Sequence, residues 1–142
     1  MKAITLEWLE RARDDLNSAE ILLTRPDLTN IVAFHAQQAV EKSLKAALEQ
    51  SAIAPAKTHS LTRLFGLVEP YLLFGMDQDM LDRLDAVYIE ARYPGEMGLL
   101  PYGKPSQEEA NGFYNFARQF YRQVRSALEA GKESDPPEPE VT

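Results

Sequence analysis

Apolar residues along this chain return at alternating spacings of three and four, and that rhythm restricts the fold more than any other feature of the sequence. From about Thr5 to Leu23 the positions Leu9, Ala12, Leu16, Ala19 and Leu23 line one face of a helix. Between them Glu10, Arg11, Arg13, Asp14, Asp15 and Asn17 read as a solvated face, with Glu7 and Arg11 spaced for an i,i+4 ion pair. Arg25-Pro26-Asp27 ends the segment, because proline lacks the amide donor and disfavours helical geometry in the residue before it. A second helix is predicted from about Asn30 to Gln50, with Val32, Ala36, Ala39, Val40, Ser43, Ala47 and Leu48 turned inward. Alanine has the best helix propensity and lets neighbouring backbones approach, so this helix belongs at the centre.

After a connection around Pro55, a shorter third helix starts near Ser60 and carries Leu61, Leu64, Phe65 and Val68 before Pro70. Leu81, Leu84, Val87, Tyr88 and Ala91 mark a fourth, from about Asp77 to Ala91. Three prolines and three glycines between Arg92 and Pro105 predict a long loop. Ser106-Gln107-Glu108-Glu109 is a capping box, in which the serine hydroxyl and the glutamate three residues on satisfy exposed amides at a helix start. The fifth helix then turns Ala110, Phe113, Ala117, Phe120, Val124 and Leu128 inward. The expected fold is all-α, an antiparallel up-and-down bundle of four to five helices, with no strand and no internal repeat. It occupies residues 1–130 as one domain. The acidic, proline-rich stretch 131–142 has little to bury and is expected to be disordered.

Composition narrows the function. The 142 residues include no cysteine, which removes disulfides, thiolate nucleophiles and cysteine-ligated zinc, and agrees with a reducing cytoplasm. No apolar run approaches the roughly 18 residues needed to span a bilayer, and the first ten residues offer no signal peptide, so a cytoplasmic location is expected. The net charge is −7; one lysine and four acids give −3 to the last twelve residues and leave −4 for the rest. A domain of that sign does not grip duplex DNA by broad phosphate neutralisation.

His35, Gln38, Lys42 and Lys45 fall within about 80° on the second helix and form a polar stripe opposite the alanine-rich face. Such a stripe is either an ordinary solvated surface or a place where two cations and two hydrogen-bonding groups meet a phosphate or a partner's carboxylates. Ile31 and Phe34 flank it, and apolar residues beside a polar face favour contact, a dimer interface first of all. His59, in Thr58-His59-Ser60, is a proton carrier or simply part of a helix cap. Arg92 and Tyr93 close the fourth helix and either satisfy its last carbonyls or clamp a phosphate and stack on a base. Arg118, Arg122 and Arg125 with Tyr114 and Tyr121 read as a charged helix face or a basic, aromatic strip. No His-x-x-x-His, glycine-rich phosphate loop or nucleophile elbow is present, so no metal and no cofactor are expected.

Three segments, FHAQQAVEKSLKAAL at Phe34–Leu48, THSL at Thr58–Leu61 and EARYPG at Glu90–Gly95, resemble the HEPN family, the higher eukaryote and prokaryote nucleotide-binding domain. The resemblance spans roughly Thr5 to Ala130. It implies a prokaryotic helical domain that often dimerises and serves either as an RNase toxin beside a minimal nucleotidyltransferase or as a nucleotide binder. Ribonuclease members carry an arginine followed after four to six residues by histidine. Here the matching positions after Arg92 are Met97, Gly98 and Leu99, and neither His35 nor His59 follows an arginine at that distance. The expectation is therefore a homodimeric nucleotide- or RNA-binding module, linked to a nucleotidyltransferase as in toxin–antitoxin pairs, rather than an enzyme. A metal-independent RNase with a non-standard site, or a protein-binding scaffold, are the alternatives. His35, Gln38, Lys42, Lys45, His59, Arg92 and Tyr93 are the expected phosphate-contacting residues.

Overall fold

The computed structural model describes residues 1–54, 57–92 and 104–134, with 88–92 and 132–134 as backbone only. Five α-helices follow in order: α1 (Ala3–Leu22), α2 (Thr29–Gln50), α3 (Leu61–Leu72), α4 (Gln78–Arg92) and α5 (Gln107–Ser134), with a short 3-10 turn at Pro26–Leu28. The described residues contain no strand, and the chain is an all-α helical bundle. None of the described helices is long and apolar enough to cross a membrane.

α2 lies at the centre, in contact with each of the other four helices. The reason is the one its sequence predicts: Ala33, Ala36, Ala39, Ala46 and Ala47 are all fully buried, and their small side chains admit close neighbours. α1 runs antiparallel to α2. Lys2 Nζ donates to Glu49 O at 2.8 Å and Thr5 Oγ1 to Gln50 Oε1 at 3.1 Å, while Asp15 meets Lys42 and His35 further along. The predicted Glu7–Arg11 pair is present at 3.1 Å on the outer face.

Two helix starts are fixed by acids. At α5 the capping box forms in both directions, Glu109 N donating to Ser106 Oγ at 3.0 Å and Ser106 N to Glu109 Oε1 at 3.0 Å. At α3 the N-cap is Ser60, whose side chain accepts from Arg63 N. The first amides go to another element: Asp85 of α4 accepts from Leu61 N at 2.6 Å and Thr62 N at 3.2 Å, with Ser60 Oγ at 3.4 Å. That bond ties α3 to α4 across the start of the helix.

Two helix ends depart from the sequence reading. α3 continues through Pro70 to Leu72, then closes at Leu73, which adopts the left-handed region at φ 57°. Proline costs a helix one amide donor, but here it falls in the last turn, and Leu72, 3% exposed, holds that turn in the core. α5 runs to Ser134, past the boundary expected at Gly131. Residues 135–142, expected as part of the tail, lie outside the described residues. All six predicted inward positions of α5 are buried. Phe120 adds aromatic contacts with Phe65, Phe74 and Phe116 at ring separations of 6.2, 5.8 and 5.9 Å.

A polar cluster on the α1–α2 hairpin as candidate functional site

Two buried carboxylates meet the polar stripe of α2. Asp15, on α1, keeps only 10% of its side chain exposed and divides its oxygens between two groups of α2: His35 Nδ1 at 2.9 Å and Lys42 Nζ at 2.6 Å. Glu41, on α2 itself and 4% exposed, accepts from Lys45 Nζ at 2.9 Å, one helical turn on, and lies 3.1 Å from His59 Nδ1. Gln38 donates to Gln37 at 2.7 Å, and Gln37 donates in turn to Glu41 at 3.4 Å. Five of the seven residues singled out by sequence therefore fall into two neighbouring sets of polar contacts, His35 and Lys42 on Asp15, and Gln38 (through Gln37), Lys45 and His59 on Glu41. Their anchors are two buried acids.

The stripe is not an open solvated face. His35, Lys42 and Lys45 keep only about a quarter of their side chains exposed, while His59 is more open. Burying a charge is tolerated only when it is paired and hydrogen-bonded, and each buried acid here has a lysine and an imidazole to meet that condition. Lys45 also stands 5.4 Å over the ring of Trp8, a cation–π contact that fixes its ammonium above α1. At the other end of the stripe Phe34 meets the His35 ring edge-on at 5.6 Å, and Ile31 and Ile21 are exposed.

An ionised carboxylate only accepts hydrogen bonds, so Asp15 and Glu41 each place a proton on Nδ1 of their histidine, which for His35 leaves Nε2 on the far side of the ring. The chemistry available is thus two lysine ammonium groups and one oriented imidazole on α2, with a second imidazole brought in from the segment before α3. That set holds an anion or moves a proton. Asp15 was read as part of the solvated face of α1 and is instead buried, because α2 delivers His35 and Lys42 to its two oxygens, and Glu41 and Gln37 were not among the residues the sequence singled out. A signal was present: Asp15 falls between Ala12 and Ala19, and Glu41 between Gln37 and Leu44, each at the spacing of the buried face.

The remaining candidates divide differently. The side chain of Arg92, whose backbone ends α4, and the whole of Tyr93 lie outside the described residues. On α5 the tyrosines face inward: Tyr114 donates to Glu20 Oε2 at 3.2 Å, and Arg125 donates to Tyr121 Oη at 2.9 Å and pairs with Glu129. Burial first, and then the bond to Glu20, pushes the Tyr114 hydroxyl above the usual phenol range. These rings are committed to the bundle, so they give α5 no stacking surface. A groove of about 450 Å³ between Leu72, Phe74 and the α5 residues Arg122, Gln123 and Ala127 shares no residue with the polar cluster.

Comparison with known proteins agrees with this architecture. The crystal structure of an archaeal HEPN homologue superposes with a TM-score of 0.65, covering 90% of this chain and 99% of that one at 24% identity, which speaks for the fold. No curated protein matches the chain. The sequence profile of the HEPN domain matches residues 5–127, which takes in α1 to α4 and most of α5 together with the α1–α2 cluster; this chain belongs to the HEPN domain family.

Proposed function

We propose that this protein is a nucleotide- or RNA-phosphate-binding HEPN module whose ligand meets the α1–α2 cluster. The observation that carries the reading is that His35, Lys42 and Lys45 on the α1–α2 hairpin, and His59 from the segment before α3, are each oriented by a buried carboxylate and none is wholly withdrawn from solvent. Lysine ammonium groups have three donors each, and only one is spent on the acid, so the others are available to phosphate oxygens. Net negative charge over the rest of the chain restricts such binding to a local site and disfavours duplex DNA.

The module works as a homodimer. Ile21, Ile31 and Phe34 supply an apolar margin beside the cluster, the composition expected of a surface that meets another chain. Association with a nucleotidyltransferase, as in toxin–antitoxin pairs, rests on family resemblance alone. Co-purification of the two proteins after joint expression tests it, and separate elution argues against it.

The protein's single tryptophan, Trp8, lies under Lys45 and is a built-in reporter. Addition of adenosine monophosphate or short single-stranded RNA is expected to change its emission, with the effect lost in Lys45→Gln and weakened by salt. Unchanged emission together with no binding by calorimetry would leave a protein-binding scaffold as the better reading. One observation favours RNA cleavage as a second reading: the His35 imidazole, oriented through Nδ1 by Asp15, is suited to proton transfer without metal. Cleavage of mixed RNA in EDTA, lost in His35→Ala, would establish that reading; intact RNA would remove it.

A further inference from the structure

Both oxygens of Asp15 are occupied, one by His35 Nδ1 and one by Lys42 Nζ. With the ring neutral, one carboxylate cancels one ammonium, and Nε2 presents a lone pair. A phosphate oxygen is also an acceptor, so it finds no partner there. One further proton reverses both conditions. Nε2 becomes a donor and the group gains a net positive charge, while the bond to Asp15 is kept and strengthened by charge.

The surroundings leave this choice to His35. From α1 it faces Asp15, and the adjacent Asp14 is exposed to solvent, while Arg11 is engaged with Glu7. From α2 it faces Lys42 through the shared carboxylate and Phe34 edge-on, and Glu41 and Lys45 form their own pair farther along. α5 directs the Tyr114 hydroxyl to Glu20 instead. No fixed cation bonds directly to the ring among the described residues.

We propose that Asp15, His35 and Lys42 form a proton-linked anion site: a dianionic phosphate group binds at His35 Nε2 and the Lys42 ammonium, and His35 takes up one proton from solvent as it does so. The inference rests on the phosphate-binding reading above and adds that affinity is set by pH. One proton per anion means that affinity falls about tenfold for each pH unit above the range in which the imidazole is already charged.

Inorganic sulfate is a suitable probe, because it remains a dianion throughout the neutral range and any proton taken up belongs to the protein. Sulfate titrations of the full chain, followed through the imidazole and backbone NMR signals between about pH 6 and 8, are expected to give that slope. His35→Gln keeps an amide donor without a titratable proton, and should bind with an affinity independent of pH. Asp15→Asn removes the cancelling charge, and should bind more tightly than the parent chain at the alkaline end. Sulfate binding of equal strength at every pH, or a His35→Gln variant that retains the parent slope, overturns the proton linkage and leaves anion binding standing. Absence of any sulfate-dependent shift at His35 or Lys42 across the range overturns both.

Discussion

Asp15 and Glu41 hold charge inside the bundle, and their neighbours show what keeps them there. Removing the charge of one leaves a lysine and a histidine competing for a weaker acceptor. Glu41→Gln is expected to lower stability by roughly 1.5–3 kcal/mol, the usual worth of a hydrogen bond to a charged group, as read from urea denaturation. An unchanged midpoint would mean that Lys45 and His59 are satisfied elsewhere. Tyr114 gives a prediction at alkaline pH. Its folded-state hydroxyl titrates above the ordinary phenol, so its contribution is present below that ordinary value and fades as pH rises through the folded one. Tyr114→Phe should therefore cost about 1 kcal/mol near neutrality and flatten the alkaline limb of the stability profile. Equal alkaline slopes in the two proteins would refute it. The cationic half of the cluster was legible in the sequence, because His35, Gln38, Lys42 and Lys45 share a helical spacing. The anionic half was not: Asp15 lies beside charged neighbours and reads as solvated until a second helix is seen to deliver its partners. His59 joins from a connection whose path no periodicity records.

Helix boundaries show which local signals survive packing. The capping box at Ser106 was read directly, because its donors and acceptors lie within four residues of one another. Pro70 was read as a stop, yet the helix ends two residues later, since burial of Leu72 outweighs one missing amide bond in a final turn. The Asp85 bond to the first amides of α3 had no signal at all, as donor and acceptor lie on different helices. For the capping box a pH prediction follows. The Ser106 amide, and then its hydroxyl and Arg83, hold the Glu109 carboxyl below the usual range. The stabilisation is therefore present above the unfolded carboxylate's titration and is lost as pH falls through the folded value. Glu109→Gln should leave Tm nearly unchanged in mild acid, where the amide still bonds Ser106 N, or lower it slightly near neutrality, and should reduce the acid slope. Ser106→Ala should cost about 1 kcal/mol at any pH, measured by thermal unfolding. A larger loss from Glu109→Gln than from Ser106→Ala would show that the pair with Arg83, and not the cap, dominates.

Across the whole molecule, the helical class and the central place of α2 were legible because alanine at every inward turn leaves few other arrangements. The assembly of a site from α1, α2 and the segment before α3 was not, since it depends on the antiparallel register of two helices, and register is decided by how side chains interlock. That register has a kinetic consequence. The α1–α2 hairpin closes within the first fifty residues through a short turn, whereas α5 must return across the length of the chain to reach α2. Short-range contacts give up little loop entropy and form first. We expect the hairpin to be structured in the folding transition state. Paired Ala and Gly substitutions at outer positions such as Glu10 and Arg13 on α1 and Glu49 on α2 should then show Gly slowing refolding relative to Ala, while the same pairs at Asn115 and Arg118 on α5 mainly speed unfolding; the reverse pattern in stopped-flow chevrons would refute this order. The groups that would meet a phosphate thus lie on the part of the chain expected to organise earliest, so a newly made chain would have most of its anion-facing surface in place while its last helix was still being synthesised.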